Sequence, residues 1–253
     1  MKRSVLALGM FDGVHVGHQV LLRRARALAK QRGVPLVACT FSFHPVRFIR
    51  PEKAPLMLTT LEERAHYMKE MGVDELYVQA FDQKMMEMRP EQYIAELCER
   101  FHPLFIVAGY NYSFGKNGEG NPMLLRALGE VFGFSAEVLP QITLDGGEVS
   151  STVIRQMLMN GQVRRAHEML GVPYVRQAIV EKSTGRGYWV QFVQDEKQAV
   201  QEGWYRGIVI RGDKTYPAVI RMQEGNAMIY LFATLGVGDE WSIRFLTELM
   251  RLQ

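Results

Sequence analysis

Short apolar runs alternate with amphipathic stretches along the first part of the chain. SVLALGM, PLVACTF, ELYVQAF, LFIVAGY and SAEVLP read as strands, and HQVLLRRARALAKQRG, TTLEERAHYMKEMG, RPEQYIAELCERF and NPMLLRALGEVFG carry apolar residues at helical spacing between them. This order predicts an α/β fold, a parallel sheet covered by helices on both faces with binding groups at the carboxyl ends of its strands. Gly33 and Gly72 stand where helix C-caps belong, and Thr59 or Thr60 precedes Glu62 and Glu63 in the manner of a capping box. The first helix is expected to begin at about His18 or Gln19.

A further helical stretch, SSTVIRQMLMNGQVRRAHEMLG, follows, and the texture changes near Pro173. From there the apolar runs are short and separated by glycine-containing turns, STGRG, RGDK and QEGN, as in a small antiparallel β unit. DEWSIRFLTELMRLQ is expected to form a closing helix. The domain boundaries read from this texture are 1–172 and 173–253.

Composition adds limits. Of the 253 residues 47% are apolar, enough for a packed core, and a formal net charge of +3 supplies no strong basic field for nucleic acid or an acidic membrane surface. Cys39 and Cys98 lack metal-binding spacing and are expected as buried free thiols. The N-terminal apolar run is too short for a signal peptide and no membrane-length apolar run exists, so a cytoplasmic location is expected. The oligomeric state is not legible.

The chemistry concentrates at GMFDGVHVGHQVLL, residues 9–22, where His15 and His18 sit between the first strand and the first helix. Gly9 and Gly13 permit a tight turn, and Gly17 permits close approach as the helix begins. A helix N-terminus offers free N–H groups to a phosphate, and two imidazoles beside it can donate to phosphoryl oxygens as transition-state charge develops. Ser150, Ser151 and Thr152 stand just before another helix, where they can cap it or hold phosphate, with Arg155 about one turn in. Asn111 ends the LFIVA strand ahead of a glycine-rich loop, the expected place for nucleotide recognition.

Taken in order, GMFDGVHVGHQVLL, TFSFHP, LTTLEER, AGYNYSFGKNGEGN and SSTVIRQML resemble the N-terminal domain of bacterial FAD synthetases, the bifunctional riboflavin kinase/FMN adenylyltransferases, over roughly residues 4–172. The resemblance implies a Rossmann-like nucleotidyltransferase domain that moves AMP from ATP to FMN, giving FAD and pyrophosphate. It implies catalytic roles for His15, His18 and Arg155, the histidines at the ATP phosphates and Arg155 on the β- and γ-phosphates. Gly9, Phe11, Asp12, Gly13, Gly17, Asn111, Ser150, Ser151 and Thr152 would bind ATP, which brings Mg²⁺ with it; no metal ligand is assigned. Phe43, His44, Pro45 and Phe114 would bind the flavin, although Phe43 stands where the family usually has proline. Asp12 could instead serve as an Asx-type turn or a helix-entry cap.

The second half departs from the family. Its kinase domain carries a Pro-Thr-Ala-Asn segment and a later Glu base, whereas none of the ten prolines here precedes Thr, and Met228 and Ile229 stand about where the Glu would be. Residues 173–253 are therefore expected to form a shortened, degenerate kinase-like barrel without kinase activity. Two rivals remain open: a nucleotidyltransferase acting on another phosphate ester, which Phe43 would permit, and a non-catalytic flavin or ATP sensor. His15, His18 and Arg155 speak against the sensor, which has little use for groups that act in a transition state.

Overall fold

In the computed structural model the described residues are 3–185, 187–194, 196–233 and 236–251. Packing divides the chain into one unit up to Glu148 and a second from Val149. The first contains β1 (Ser4–Leu8), α1 (Val16–Arg32), β2 (Leu36–Phe41), α2 (Val46–Ile49), α3 (Leu61–Glu70), β3 (Glu75–Gln79), α4 (Gln83–Glu87), α5 (Pro90–Phe101), β4 (Pro103–Gly109), α6 (Pro122–Phe132), β5 (Ser135–Leu139), β6 (Thr143–Leu144) and β7 (Gly147–Glu148). Strands β3-β2-β1-β4-β5 form one parallel sheet in that order, the predicted α/β fold.

All five residues of β1 are buried, as expected for the central strand of a sheet covered on both faces. Alternation along the strand sends Leu6 and Leu8 to one side, with Ile94 and Leu97 of α5 and Leu125 of α6. Val5 and Ala7 go to the other, with Leu22 and Ala25 of α1 and Met68 of α3. Each large side chain so enclosed contributes about 1.5–3 kcal/mol. The chain runs outward from β1 through β2 to β3, then returns to β4 on the opposite side of β1, so a topological switch point lies beside β1. Helix ends follow local chemistry. Gly33 adopts a left-handed C-cap, and Thr60 and Glu63 form a reciprocal capping box, their two hydrogen bonds 3.2 and 3.0 Å long.

The second unit begins with α7 (Ser151–Met159) and α8 (Val163–Leu170). It continues with β8 (Tyr174–Thr184), β9 (Gly187–Phe192), β10 (Gly203–Arg211), β11 (Lys214–Gln223), β12 (Asn226–Tyr230) and β13 (Glu240–Arg251). These strands close into a barrel in the order β10-β11-β12-β9-β8-β13, which leaves no free sheet edge. Inward positions alternate along each strand, among them Tyr174, Tyr188, Tyr205, Ile220, Ile229 and Trp241. Arg176 also points inward. Its guanidinium lies 4.5 Å from the centre of the Phe192 ring and donates to Gln194 O at 3.1 Å.

Three expectations are corrected. The expected closing helix is strand β13, with its last two residues, Leu252 and Gln253, outside the described residues. Trp241, Ile243 and Phe245 satisfy a two-residue period, and pairing with both β8 and β10 decides for a strand by closing the barrel. Helix α1 starts at Val16 rather than His18 or Gln19, because His15 itself is the N-cap. Cys39 is buried, but Cys98 is only half-buried; burial raises its thiol to about 11. Packing divides the chain at 148/149, ahead of the change of texture near Pro173.

A strand at β13 makes stability alternate with position. Phe245→Ala is expected to destabilise the barrel by about 3–5 kcal/mol, and Arg244→Ala, facing outward, by less than about 0.5 kcal/mol. Urea denaturation followed by tryptophan fluorescence measures both.

Candidate active site

The turn after β1 is held in a conformation the chain would not choose alone. Phe11, Gly13 and Val14 have φ of 53°, 80° and 39°. Only glycine adopts such angles freely, and each of the other two costs on the order of 1–3 kcal/mol. Asp12 holds them there. Its carboxylate, 1% exposed, accepts hydrogen bonds from Leu58 N (2.9 and 3.1 Å), Thr59 N (3.1 Å) and Thr59 Oγ1 (3.2 Å). Gly13 N donates back to Thr59 Oγ1 at 2.9 Å. Asp12 is thus a long-range latch onto the segment before α3.

The helix-capping part falls to His15. Its Nδ1 accepts from His18 N at 3.3 Å, which leaves Nε2–H as its donor. The two imidazoles stack, ring centres 3.6 Å apart and 15° from parallel, and the Phe11 ring meets His18 edge-on at 5.3 Å. A β-carbon at Gly17 would lie 3.2 Å from the His15 ring, so glycine is what admits the stacked pair. Burial first, then the facing His15 and Arg64, hold His18 well below the ordinary imidazole value, so it is neutral at pH 7. Its Nδ1 is enclosed without a hydrogen-bond partner among the described residues, as is Arg64 Nε.

The other expected residues are distributed as follows. Phe43, His44 and Pro45 follow β2, the strand next to β1, and His44 Nδ1 accepts from Val46 N at 3.3 Å, which leaves the hydrogen on Nε2. Asn111 lies exposed beyond β4, on the other side of β1. Gly9 continues β1, its N–H donating to Cys39 O at 3.2 Å. The rings of Phe11 and Phe114 are both in the core, Phe114 stacked 5.6 Å from Tyr112. In the second unit Ser150 Oγ caps α7 by accepting from Val153 N at 3.3 Å, with Ser151, Thr152 and Arg155 in the first turns. The first unit therefore gathers the histidines, residues 43–45 and Asn111 at the carboxyl ends of adjacent strands.

Two contributors were not singled out from sequence. Thr59 was read only as a possible cap and is the partner of Asp12, and Arg64, inside the quoted LTTLEER, is wholly buried beneath the same turn. A charged residue inside an otherwise ordinary amphipathic helix was the available signal. No group of three or more His, Cys, Asp or Glu side chains among the described residues is placed to hold a metal ion, and the Asp12 oxygens already accept four protein hydrogen bonds. The donor set does not fit a resident metal.

Because native His18 resists protonation while the unfolded chain takes up a proton near 6.5, its contribution to stability is present at neutral pH. That contribution is lost as pH falls below that value. Urea midpoints at pH 7.5 and 5.5 are expected to fall less between the two for His18→Gln than for the unaltered protein.

Comparison with known proteins places this geometry in a lineage. The family model for FAD synthetase matches residues 1–153. The bifunctional riboflavin kinase/FMN adenylyltransferase of Listeria monocytogenes is 34% identical over 190 residues, 75% of this chain and 60% of the relative. The one from Bacillus subtilis is 32% identical over 193 residues, with the same two shares. The chain thus spans about 60% of the length of these relatives. A second Listeria monocytogenes protein, named FAD synthetase, is 32% identical over 187 residues, 74% of this chain and 76% of that one. A crystal structure from Streptococcus pneumoniae, described as a macrolide-efflux protein, superposes with a TM-score of 0.91 at 24% identity, over 100% of this chain and 87% of the other, and shows the fold alone. With a family match over more than half its length and the stacked HxGH pair at the head of α1, the chain belongs to the FAD synthetase family.

Proposed function

We propose that the protein is an FMN adenylyltransferase, which transfers AMP from ATP to FMN and releases pyrophosphate. The observation that carries this reading is the stacked His15–His18 pair at the N-terminus of α1, with an enclosed His18 Nδ1 that lacks a protein partner among the described residues. The FMN phosphate has a second pKa of about 6 and is largely dianionic at neutral pH. One of its oxygens attacks the α-phosphorus of ATP, the bond from that phosphorus to the bridging oxygen breaks, and pyrophosphate leaves. No general base is required.

What the reaction requires is stabilisation of charge on the α-phosphoryl oxygens and on the departing pyrophosphate. His15 supplies a fixed Nε2–H, and the free N–H groups of α1 lie beside it. Neutrality of His18 fits its place against His15, since two imidazolium rings at that separation would repel. Mg²⁺ enters as part of the substrate, MgATP. Arg155, with Ser150, Ser151 and Thr152, would grip the β- and γ-phosphates, while Gly9, Gly13, Gly17 and Asn111 would line the nucleotide. His44 with Phe43 and Pro45 would meet the flavin phosphate and ring. The buried rings of Phe11 and Phe114 would support these contacts from below.

In this reading residues 1–172 are the adenylyltransferase and residues 173–253 a kinase-like barrel without riboflavin kinase activity, working in the cytoplasm on FMN supplied by another enzyme. The missing Pro-Thr-Ala-Asn segment and base support that assignment, as does an interior occupied by aromatic side chains and Arg176.

Purified protein with FMN and MgATP is expected to form FAD and pyrophosphate, and His15→Ala to lower kcat by on the order of 10²-fold or more. Arg155→Ala is expected to weaken ATP binding while leaving AMP binding nearly unchanged, as calorimetry would record. With riboflavin and MgATP no FMN should appear; background FAD formation from FMN by folded protein would overturn the main reading.

A further inference from the structure

Resting on the adenylyltransferase reading, we propose that Arg64 is a positioning residue that locks the histidine turn to the start of the flavin segment, so that donor and acceptor phosphates meet in line. Arg64 lies in the first turn of α3 and is wholly enclosed. Its Nη1 donates to Met10 O (3.0 Å), Phe41 O (3.0 Å) and Thr40 Oγ1 (3.2 Å), and its Nη2 to Ser42 O (2.8 Å). Thr40 Oγ1 in turn donates to Met10 O at 2.9 Å. Met10 lies two residues before Asp12 and Ser42 two before His44.

These carbonyls stand just where the β1–β2 ladder stops fixing distances. The β1–β2 pairing ends at Leu8 and Cys39, and beyond it the two chains diverge into the segments that carry the histidines and the SFHP motif. A planar guanidinium bonded to both segments takes over the spacing that the ladder set, which the point charge of a lysine cannot do. The arginine is an expensive way to gain stability alone, because a buried cation loses its hydration and an apolar side chain of similar volume packs without that cost. Its geometric value is larger: phosphoryl transfer depends on alignment, and a misplacement of about 1 Å can slow a reaction about 10²-fold. The same guanidinium is felt at His18, which also faces His15, while Asp12 lies close enough to offset part of the arginine's own desolvation.

The test compares Arg64→Lys, Arg64→Met and Thr40→Val with Met68→Ala, a control on the same helix whose side chain is in the core and bonds neither segment. FAD formation gives kcat and KM for each substrate, and proton NMR gives the His18 titration midpoint without turnover. The expected result is a kcat lower by roughly 10-fold in Arg64→Lys and 10²-fold in Arg64→Met, with each KM within about 3-fold of the unaltered value. Thr40→Val, which keeps the arginine, is expected to lose a few-fold in kcat. In Met68→Ala the urea midpoint falls while kcat is kept, and in Arg64→Met the His18 midpoint rises. If Arg64→Met does not fold, Arg64→Lys and Thr40→Val decide. Unaltered kcat in the folded Arg64 variants, or an equal kcat loss in Met68→Ala, overturns the proposal. Failure of the unaltered protein to form FAD overturns instead the reading on which it rests.

Discussion

The carboxylate of Asp12 is the constraint on which the rest of the candidate site depends. Four hydrogen bonds from Leu58 and Thr59 anchor it in a place where an unpaired charge would be very costly. In return it fixes a turn containing two non-glycine residues at positive φ. Without that anchor Phe11 and Val14 would relax toward ordinary angles. His15 would then no longer cap α1, and the stacking with His18 would be lost. The strain of the turn and the burial of the carboxylate are two sides of one arrangement, in which a short segment ahead of α3 dictates where the imidazoles stand.

The parallel sheet makes this arrangement possible. With β1 at the centre and neighbours added on both sides, the loops after β1, β2 and β4 emerge at one end and side by side. Backbone ladders fix their starting points, and a few buried polar side chains fix their paths beyond the last pair. Interior packing below is apolar and needs no specific chemistry. Above it, each polar group reaches across to another segment: Thr40 to Met10, Thr59 to Gly13, Arg64 to Phe41 and Ser42. That contrast separates the part of the unit that is stable from the part that is shaped.

The barrel of the second unit is specified by a looser pattern than the turn after β1. Its strands close and its interior alternates in the ordinary way, while Gln198 O accepts from Tyr174 and Gln194 O from Arg176. Closure asks only for apolar residues at every second position, a requirement that many sequences meet. Kinase chemistry asks for particular side chains at particular places, and none of the ten prolines in the sequence precedes Thr, the observation on which the proposed loss of that activity rests.

Alternating apolar and amphipathic runs determined the α/β order, the parallel sheet, the Gly33 cap, the Thr60–Glu63 capping box and the existence of a β unit after Pro173, because periodicity and capping are local properties. HxGH at a strand-to-helix turn likewise marked the candidate site, since glycine, histidine and helix-end chemistry lie within a few residues of each other. Tertiary structure alone decided the rest. DEWSIRFLTELM fits both a helical and a two-residue period, and only pairing with β8 and β10 makes it a strand. Asp12 could be read as an ATP-binding residue or as a local cap but not as a latch, because its partners lie 46 and 47 residues away. Arg64 was not singled out at all, for nothing in LTTLEER reveals that the fold will close carbonyls of three other residues around it. Long-range polar bonds have no period, so a sequence can carry the residues that make them without showing where they go.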